Sequence, residues 1–280
     1  MSGAHILFEA SPSPPGAPDA RGPCATRRHN VAMNKTLLIT GGSRGIGAAT
    51  ALRAAAQGWD VAVNYTRDAA AAQQVAAAVR ALGRQAWVLQ ADVGDEAQVL
   101  AMFEELDRTA PGLCGLVNNA GVVDRAARVE AMDGARLQRM FAVNVLGTFW
   151  CAREAVKRMS TRHGGTGGAI VNLSSAAARL GAPGQYVDYA AAKGAVDVFT
   201  LGLAKEVATE GVRVNAVRPG IIETDIHASG GQPDRAAQMA PLVPMQRAGS
   251  ADEVARAIVW LLSDEASYTT GSVLDVTGGR

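Results

Sequence analysis

From Lys35 onward the chain repeats one pattern: a short apolar run, a turn, then a longer stretch with helical periodicity. The apolar runs fall at 36–40 (TLLIT), 61–64, 85–90, 115–118, 169–173, 213–218 and 273–276. The first of these is short and apolar throughout, which suits a strand buried on both faces, the condition of a parallel sheet. The intervening stretches predict helices over 46–57, 68–82, 95–108, 133–160, 187–210 and 251–263. Strands alternating with helices build βαβ units, whose helices cover both faces of one sheet. The expected fold is therefore α/β: a single domain on a doubly wound, parallel, seven-stranded sheet. Residues 222–247 lack clear periodicity and are expected to form a lid over the ligand side.

The first 33 residues stand apart. SPSPPGAPDARGP is rich in proline and offers almost nothing to bury, which predicts a disordered tail ahead of one domain over 34–280. The apolar patch Ile6 to Phe8 is too short for a signal-peptide core, and Met33 is an alternative start. A net charge of +1 gives no electrostatic case for nucleic acid or an anionic membrane as partner. No apolar run reaches the ~18 residues needed to span a bilayer. Cys24, Cys114 and Cys151 have neither paired nor metal-like spacing, which suits a reducing, cytoplasmic compartment. The four histidines are scattered, so no metal site is expected.

Two stretches carry chemistry. Thr40-Gly41-Gly42-Ser43-Arg44-Gly45-Ile46-Gly47 lies between the first strand and the first helix. Glycines there permit a tight turn and let the backbone approach a pyrophosphate, which the helix N-terminus stabilises. The spacing is GxxxGxG, not GxGxxG. Asp92 and the run Asn118-Asn119-Ala120-Gly121 fall at strand carboxyl ends, where open α/β sheets bind ligands. The second stretch is 168–193. It opens as a strand (Ala169 to Leu173), breaks at Ser174 and Ser175, crosses a Gly/Pro loop, and enters a helix carrying Tyr189 and Lys193. Positions four apart share a helix face, so phenol and ammonium reach one point. A free phenol titrates near ~10, and a fixed cation beside it pulls that value toward the working range of an acid or base. A serine hydroxyl at the strand end would hold a substrate oxygen beside it. The arrangement suits proton transfer to or from a carbonyl or alcohol oxygen.

TGGSRGIG, NNAG, the asparagine of FAVNVLGTF, SS followed by YxxxK, and RPG after the sixth strand together resemble the short-chain dehydrogenase/reductase family. The motifs stand in that family's order over about residues 35–279. The texture is similar to oxoacyl-carrier-protein reductases and glucose-dehydrogenase-like members. The resemblance implies a Rossmann-type domain and hydride exchange between a nicotinamide and a small carbonyl or alcohol substrate. It makes Tyr189 the acid/base, with Lys193 lowering its pKa and binding the nicotinamide ribose, and Asn144 holding a relay water. The orienting serine usually lies thirteen residues before the tyrosine, where this chain has Ala176; Ser175 is chosen, with Ser174 as the alternative. By the same resemblance Gly41, Ser43, Arg44, Gly45, Ile46 and Gly47 hold the pyrophosphate side. Asp92 and Val93 flank the adenine, and Asn118, Ala120 and Gly121 the adenosine ribose. Pro219, Gly220, Ile222 and Thr224 cover the carboxamide.

Relatives that choose NAD place an acid at the end of strand two, where it accepts from the ribose 2′-hydroxyl. Here that strand ends Val63-Asn64-Tyr65-Thr66-Arg67, and Asp68 is expected to open the next helix. Arg44 and Arg67 would flank a 2′-phosphate, so NADP(H) is the expected cofactor, with NAD(H) open. A sugar dehydrogenase, an oxoacyl reductase and a non-catalytic dinucleotide sensor are the alternatives. The resemblance also implies a homotetramer paired through the long helix and the tyrosine helix, with Phe149, Trp150, Val198 and Phe199 as core or interface. His227, Asp188 and Asp197 are expected to face solvent, and Tyr186 to be a decoy.

Overall fold

A computed structural model of the chain describes residues 35–110, 112–226 and 230–280. The expected tail over 1–33 and His227 lie outside the described residues. The strands are β1 (Thr36–Ile39), β2 (Asp60–Tyr65), β3 (Ala86–Gln90), β4 (Leu113–Asn118), β5 (Gly168–Leu173) and β6 (Val212–Pro219). Two short ones, β7 (Ile222–Glu223) and β8 (Gly249–Ser250), precede β9 (Val273–Val276). The main sheet has seven strands in the order β3-β2-β1-β4-β5-β6-β9, and every pairing in it is parallel. The chain therefore winds outward from β1 to β3, then returns to lay β4 against the other side of β1. That reversal opens a crevice beyond the carboxyl ends of β1 and β4.

The strand alternation explains why both faces are covered. Leu37, Ile39, Val61, Val63, Val117 and Val171 point to the side of α1 (Gly45–Ala56), α2 (Ala69–Ala81) and the helix Ala251–Leu262. Leu38, Ala62, Leu116, Ile170 and Val214 point to the other, under α3 (Glu96–Thr109), α5 (Gly147–Met159) and α7 (Val187–Val207). Removing each of these valine, leucine and isoleucine side chains from water contributes about 1.5–3 kcal/mol. Cap residues fix where helices start. Asp68 accepts from Ala71 N, Asp95 from Ala97 and Gln98 N, and Ser250 forms a capping box with Glu253.

The long helix expected over 133–160 is three pieces. α4 (Gly134–Phe141) passes through a wide turn, Ala142–Leu146, with π-type bonding before α5 resumes. Asn144 sits in that turn, and its side-chain bonds to Met140 and Val122 hold the distortion. The stretch 222–247 also gains order: β7 pairs with β8, and a short helix, α8 (Arg235–Met239), follows. A four-residue helix, α6 (Ala177–Leu180), precedes α7. Among the described residues no helix is long and apolar enough to cross a membrane.

Candidate active site

A cleft of about 960 Å³ runs along the carboxyl ends of the strands, centred on the β1/β4 reversal. Its first half is built by the turn between β1 and α1. Gly41 takes a left-handed backbone (φ 59°) and donates its N–H to Asn64 Oδ1 at 3.1 Å. Asn64 is in turn tied to the Leu89 and Ala91 carbonyls (3.2 and 3.1 Å), so the buried end of β2 braces the turn. Asn119 Nδ2 donates to the Thr40 and Gly41 carbonyls, both at 2.9 Å. Thr40 Oγ1 accepts from Asn119 N and Ala120 N at 3.0 Å each. The turns after β1 and β4 are thus stitched together. α1 starts beside them with no side-chain cap and no acidic residue in its first turn, so its free amides and dipole favour an anion.

Ser43, Arg44, Gly45 and Ile46 line the cleft, as do Asp92, Val93, Ala120 and Gly121. Thr224 reaches over the turn to within 3.4 Å of where a Gly45 Cβ would stand, and Pro219, Gly220 and Ile222 continue that wall. Two of the residues expected to hold the cofactor do not reach the cleft. Gly47 is buried behind the turn, where a Cβ would lie 2.6 Å from Asn119 Nδ2 and Gly41 O; its role is close packing. Asn118 is turned under α5, donating to Asn172 Oδ1 (2.9 Å) and Thr148 O (3.3 Å), and Asn119 takes its place at the surface. Strand alternation puts Asn118 on the face of Leu116, under α5, but Val117 on the other face is core as well, so alternation by itself does not mark Asn118 as inward.

At the β2 end, Arg44 and Arg67 border one recess, both exposed and both without a side-chain partner among the described residues. Asp68 is committed to capping α2. A third arginine, which the sequence did not single out, borders the same recess: Arg139 on α4, paired with Asp124 at 3.2 Å.

The far half holds the proton-transfer candidates. Ser175, Tyr189 and Lys193 all line it, and the Ser175 hydroxyl stands beside the Tyr189 phenol. Ser174 is committed elsewhere, its Oγ donating to the Lys193 carbonyl at 3.1 Å. Lys193 Nζ donates to the Leu173 carbonyl at 2.6 Å and lies 5.7 Å from the Tyr189 ring centre. Gly121 packs beside it, with a Cβ position 3.6 Å from that Nζ. Although part of the ring borders the cleft, burial dominates the phenol and pushes Tyr189 up to about 12; the nearby Ser175 hydroxyl pulls the other way. Burial lowers Lys193 to about 8, opposed by the charge of Asp197 one turn on. Tyr189 thus stands above its ordinary value, where Lys193 was expected to hold it below, and desolvation by burial is the cause.

Asn144 is wholly buried. Its Nδ2 donates to the Val122 and Met140 carbonyls at 3.0 Å and its Oδ1 accepts from Val122 N at 3.2 Å. Those side-chain groups are spoken for, so Asn144 anchors the β4 loop instead of offering its amide to the cleft. Asp188 and Asp197 do not face solvent either. Asp188 is bound by Arg136, and Asp197 by Arg218 Nε and Nη2 at 3.0 and 2.9 Å. Tyr186 lines the substrate half, under the Arg235 guanidinium and donating to Gln232 Oε1 at 3.1 Å. Phe149 stacks on Phe199 with ring centres 3.8 Å apart, while Trp150 packs against the core.

The family model described as Enoyl-(Acyl carrier protein) reductase matches residues 41–280. The Escherichia coli K12 protein named "Uncharacterized oxidoreductase YgfF" is 56% identical over 243 residues, 87% of this chain and 98% of its own. The Staphylococcus aureus 3-oxoacyl-[acyl-carrier-protein] reductase FabG is 36% identical over 247 residues, 88% of this chain and 98% of its own. Among solved structures, a variant of a Serratia marcescens short-chain dehydrogenase/reductase superposes with a TM-score of 0.80. It is 34% identical and covers 88% of this chain and 97% of that one.

Proposed function

The chain belongs to the short-chain dehydrogenase/reductase family, whose members act on CH–OH and C=O groups with a nicotinamide cofactor, and we propose that it is an NADP(H)-dependent carbonyl reductase or alcohol dehydrogenase with Tyr189 as acid/base. The observation that carries the reading is the meeting of Tyr189, Ser175 and Lys193 at one end of a cleft whose other end suits a dinucleotide. An uncapped helix N-terminus, backbone packed too closely for a side chain at Gly47, and two arginines unpartnered among the described residues all fit such a group. When bound, the nicotinamide gives or takes the hydride.

The chain's own residues supply the rest. Gly41, Ser43, Gly45 and Ile46 present the turn to the pyrophosphate, with Asp92 and Val93 at the adenine and Gly121 at its ribose. Arg44 and Arg67 hold the 2′-phosphate, the feature that selects NADP(H) over NAD(H). Ser175 donates to the substrate oxygen and holds it beside the phenol. Tyr189, protonated at neutral pH, hands its proton to that oxygen as the carbonyl is reduced, and takes it back in oxidation. Lys193, lowered to about 8, exchanges a proton with solvent near neutral pH and replenishes the phenol.

Leu180, Pro183 and Met239 give the substrate half an apolar wall, which suits a ketone or acyl chain better than a sugar. The 3-oxoacyl reductase activity named for the Staphylococcus aureus relative is one such reaction. A non-catalytic sensor would not need the intact Tyr189–Ser175–Lys193 set. The activity belongs to residues 34–280, so a chain lacking 1–32 keeps it. The enzyme works as a cytoplasmic homotetramer paired through α5 and α7, where Phe149 and Val198 are 43% and 70% exposed; a monomer by light scattering would contradict that. The test is cofactor absorbance with NADPH and NADH across ketones, aldehydes, sugars and alcohols. NADPH-dependent carbonyl turnover is the result expected; a silent panel, or equal use of NADH, would overturn the corresponding part.

A further inference from the structure

Asp188 immediately precedes Tyr189 on α7, and only 1% of its side chain is exposed. Arg136 on α4, itself 10% exposed, meets it with a two-pronged contact. Nε donates to Oδ2 at 2.8 Å and Nη2 to Oδ1 at 3.1 Å. The remaining Nη1 donates to the Arg125 carbonyl at 2.7 Å, in the loop leaving β4. One guanidinium thus ties together the first turn of α7, α4 and the β4 loop. That loop is pinned again where Ala127 N donates to Gln185 O at 3.0 Å, just ahead of α7, and where Val122 meets Asn144.

A buried ion pair is weak ground for stability, because desolvation offsets the attraction. What this one supplies is orientation. A fork-on-carboxylate contact fixes both the distance and the plane of the two groups. Asp188 and Tyr189 are neighbours on the helix, about 100° apart around its axis, so a rotation that slackens one moves the other. Neither Arg136 nor Asp188 lines the cleft, so any effect they have on the reaction is indirect.

We infer that Arg136 and Asp188 are a positioning pair that sets the Tyr189 phenol beside Ser175 and holds the β4 loop as a wall of the cleft. The inference rests on the proposed role of Tyr189. Displacing a reacting group by ~1 Å costs about 10²-fold in rate. Arg136→Gln is therefore expected to lower kcat about 10²-fold while cofactor affinity stays within about twofold. Arg136→Lys keeps the charge but loses the fork. It should recover the melting temperature lost in Arg136→Gln and still leave kcat down about tenfold or more.

The experiment measures kcat, KM, cofactor affinity by fluorescence titration, and melting temperature for the full chain. Its variants are Arg136→Gln, Arg136→Lys, Asp188→Asn and Tyr189→Phe. If Arg136→Gln does not fold, Arg136→Lys and Asp188→Asn carry the test. Loss of kcat with retained cofactor affinity, unrescued by lysine, supports the pair. Parent-level kcat in the Arg136 and Asp188 variants, with Tyr189→Phe inactive, overturns the pair alone. Parent-level turnover in Tyr189→Phe overturns the premise and the pair's role with it.

Discussion

Gly47 stands in the first turn of α1 with no room for a methyl group. A Cβ there would lie 2.6 Å from Asn119 Nδ2, 2.6 Å from the Gly41 carbonyl oxygen and 3.0 Å from Gly42 Cα. Favourable contacts between carbon atoms begin near ~3.5 Å. Two of the three neighbours are backbone atoms of the turn, which cannot swing aside as a long side chain does. Overpacking of this kind costs about 1–3 kcal/mol. The displaced Asn119 amide also strains its bonds to Thr40 and Gly41, each contributing about 1 kcal/mol net. Alanine's better helix propensity returns about 1 kcal/mol. Gly47→Ala should therefore destabilise the protein by about 3 kcal/mol and lower its Tm by roughly 6–12 °C. Cofactor affinity should fall with it, because the turn that meets the pyrophosphate must shift. The assay is thermal denaturation with fluorescence titration of the dinucleotide. Gly134→Ala serves as control, since no atom lies within 4 Å of its Cβ position. A Gly47→Ala protein with Tm within about 2 °C of the parent and unchanged affinity would refute the reasoning.

Ser175→Ala should reduce kcat more than Ser174→Ala, because Ser175 lines the cleft beside the phenol while the Ser174 hydroxyl is bound to the Lys193 carbonyl. Steady-state kinetics checks this, and the reverse order would show that the wrong serine was chosen. Arg44→Ala should weaken NADP(H) binding by about 1.5–3 kcal/mol, roughly ten- to a hundredfold, with little effect on NAD(H); equal losses for both would sink the phosphate assignment. Lys193 falls from 10.5 unfolded to about 8 folded, so between those values the unfolded chain holds a proton that the folded chain has released. Stability from this residue must therefore rise with pH across that window. Chemical denaturation of the parent and Lys193→Met from pH 7 to pH 10 tests the sign. A parent-minus-variant difference that is flat or falls would contradict the lowered pKa.

The sheet was legible because short strand-like runs alternate regularly with helical stretches, and the first, TLLIT, is apolar throughout, as burial on both faces requires. The Gly-rich turn and the Tyr189/Lys193 spacing were legible because their chemistry is local. What the sequence hid depends on partners far along the chain. Asp188 was expected in solvent because Arg136 is 52 residues away, and Asp197 because Arg218 is 21 away. The break at 142–146 left no trace in FAVNVLG, whose apolar spacing continues; it is held by Val122, 22 residues upstream. Arg139 was overlooked for the same reason: only the return of α4 beside the β1/β4 crevice brings it to Arg44 and Arg67. Asn118 follows the same rule: both faces of β4 are core, and the partners that hold it inward, Thr148 and Asn172, are 30 and 54 residues away.

Proton transfer by Tyr189 is the claim on which the rest depends, and removing one hydroxyl tests it. Tyr189→Phe should be compared with the parent by kcat/KM on a responsive carbonyl with NADPH, and by fluorescence titration of NADPH alone. The phenylalanine ring keeps the packing, so cofactor affinity should stay within about twofold while turnover falls by about 10²–10⁴-fold, the usual contribution of a general acid. Turnover within a few fold of the parent, with the cofactor bound normally, would contradict the account.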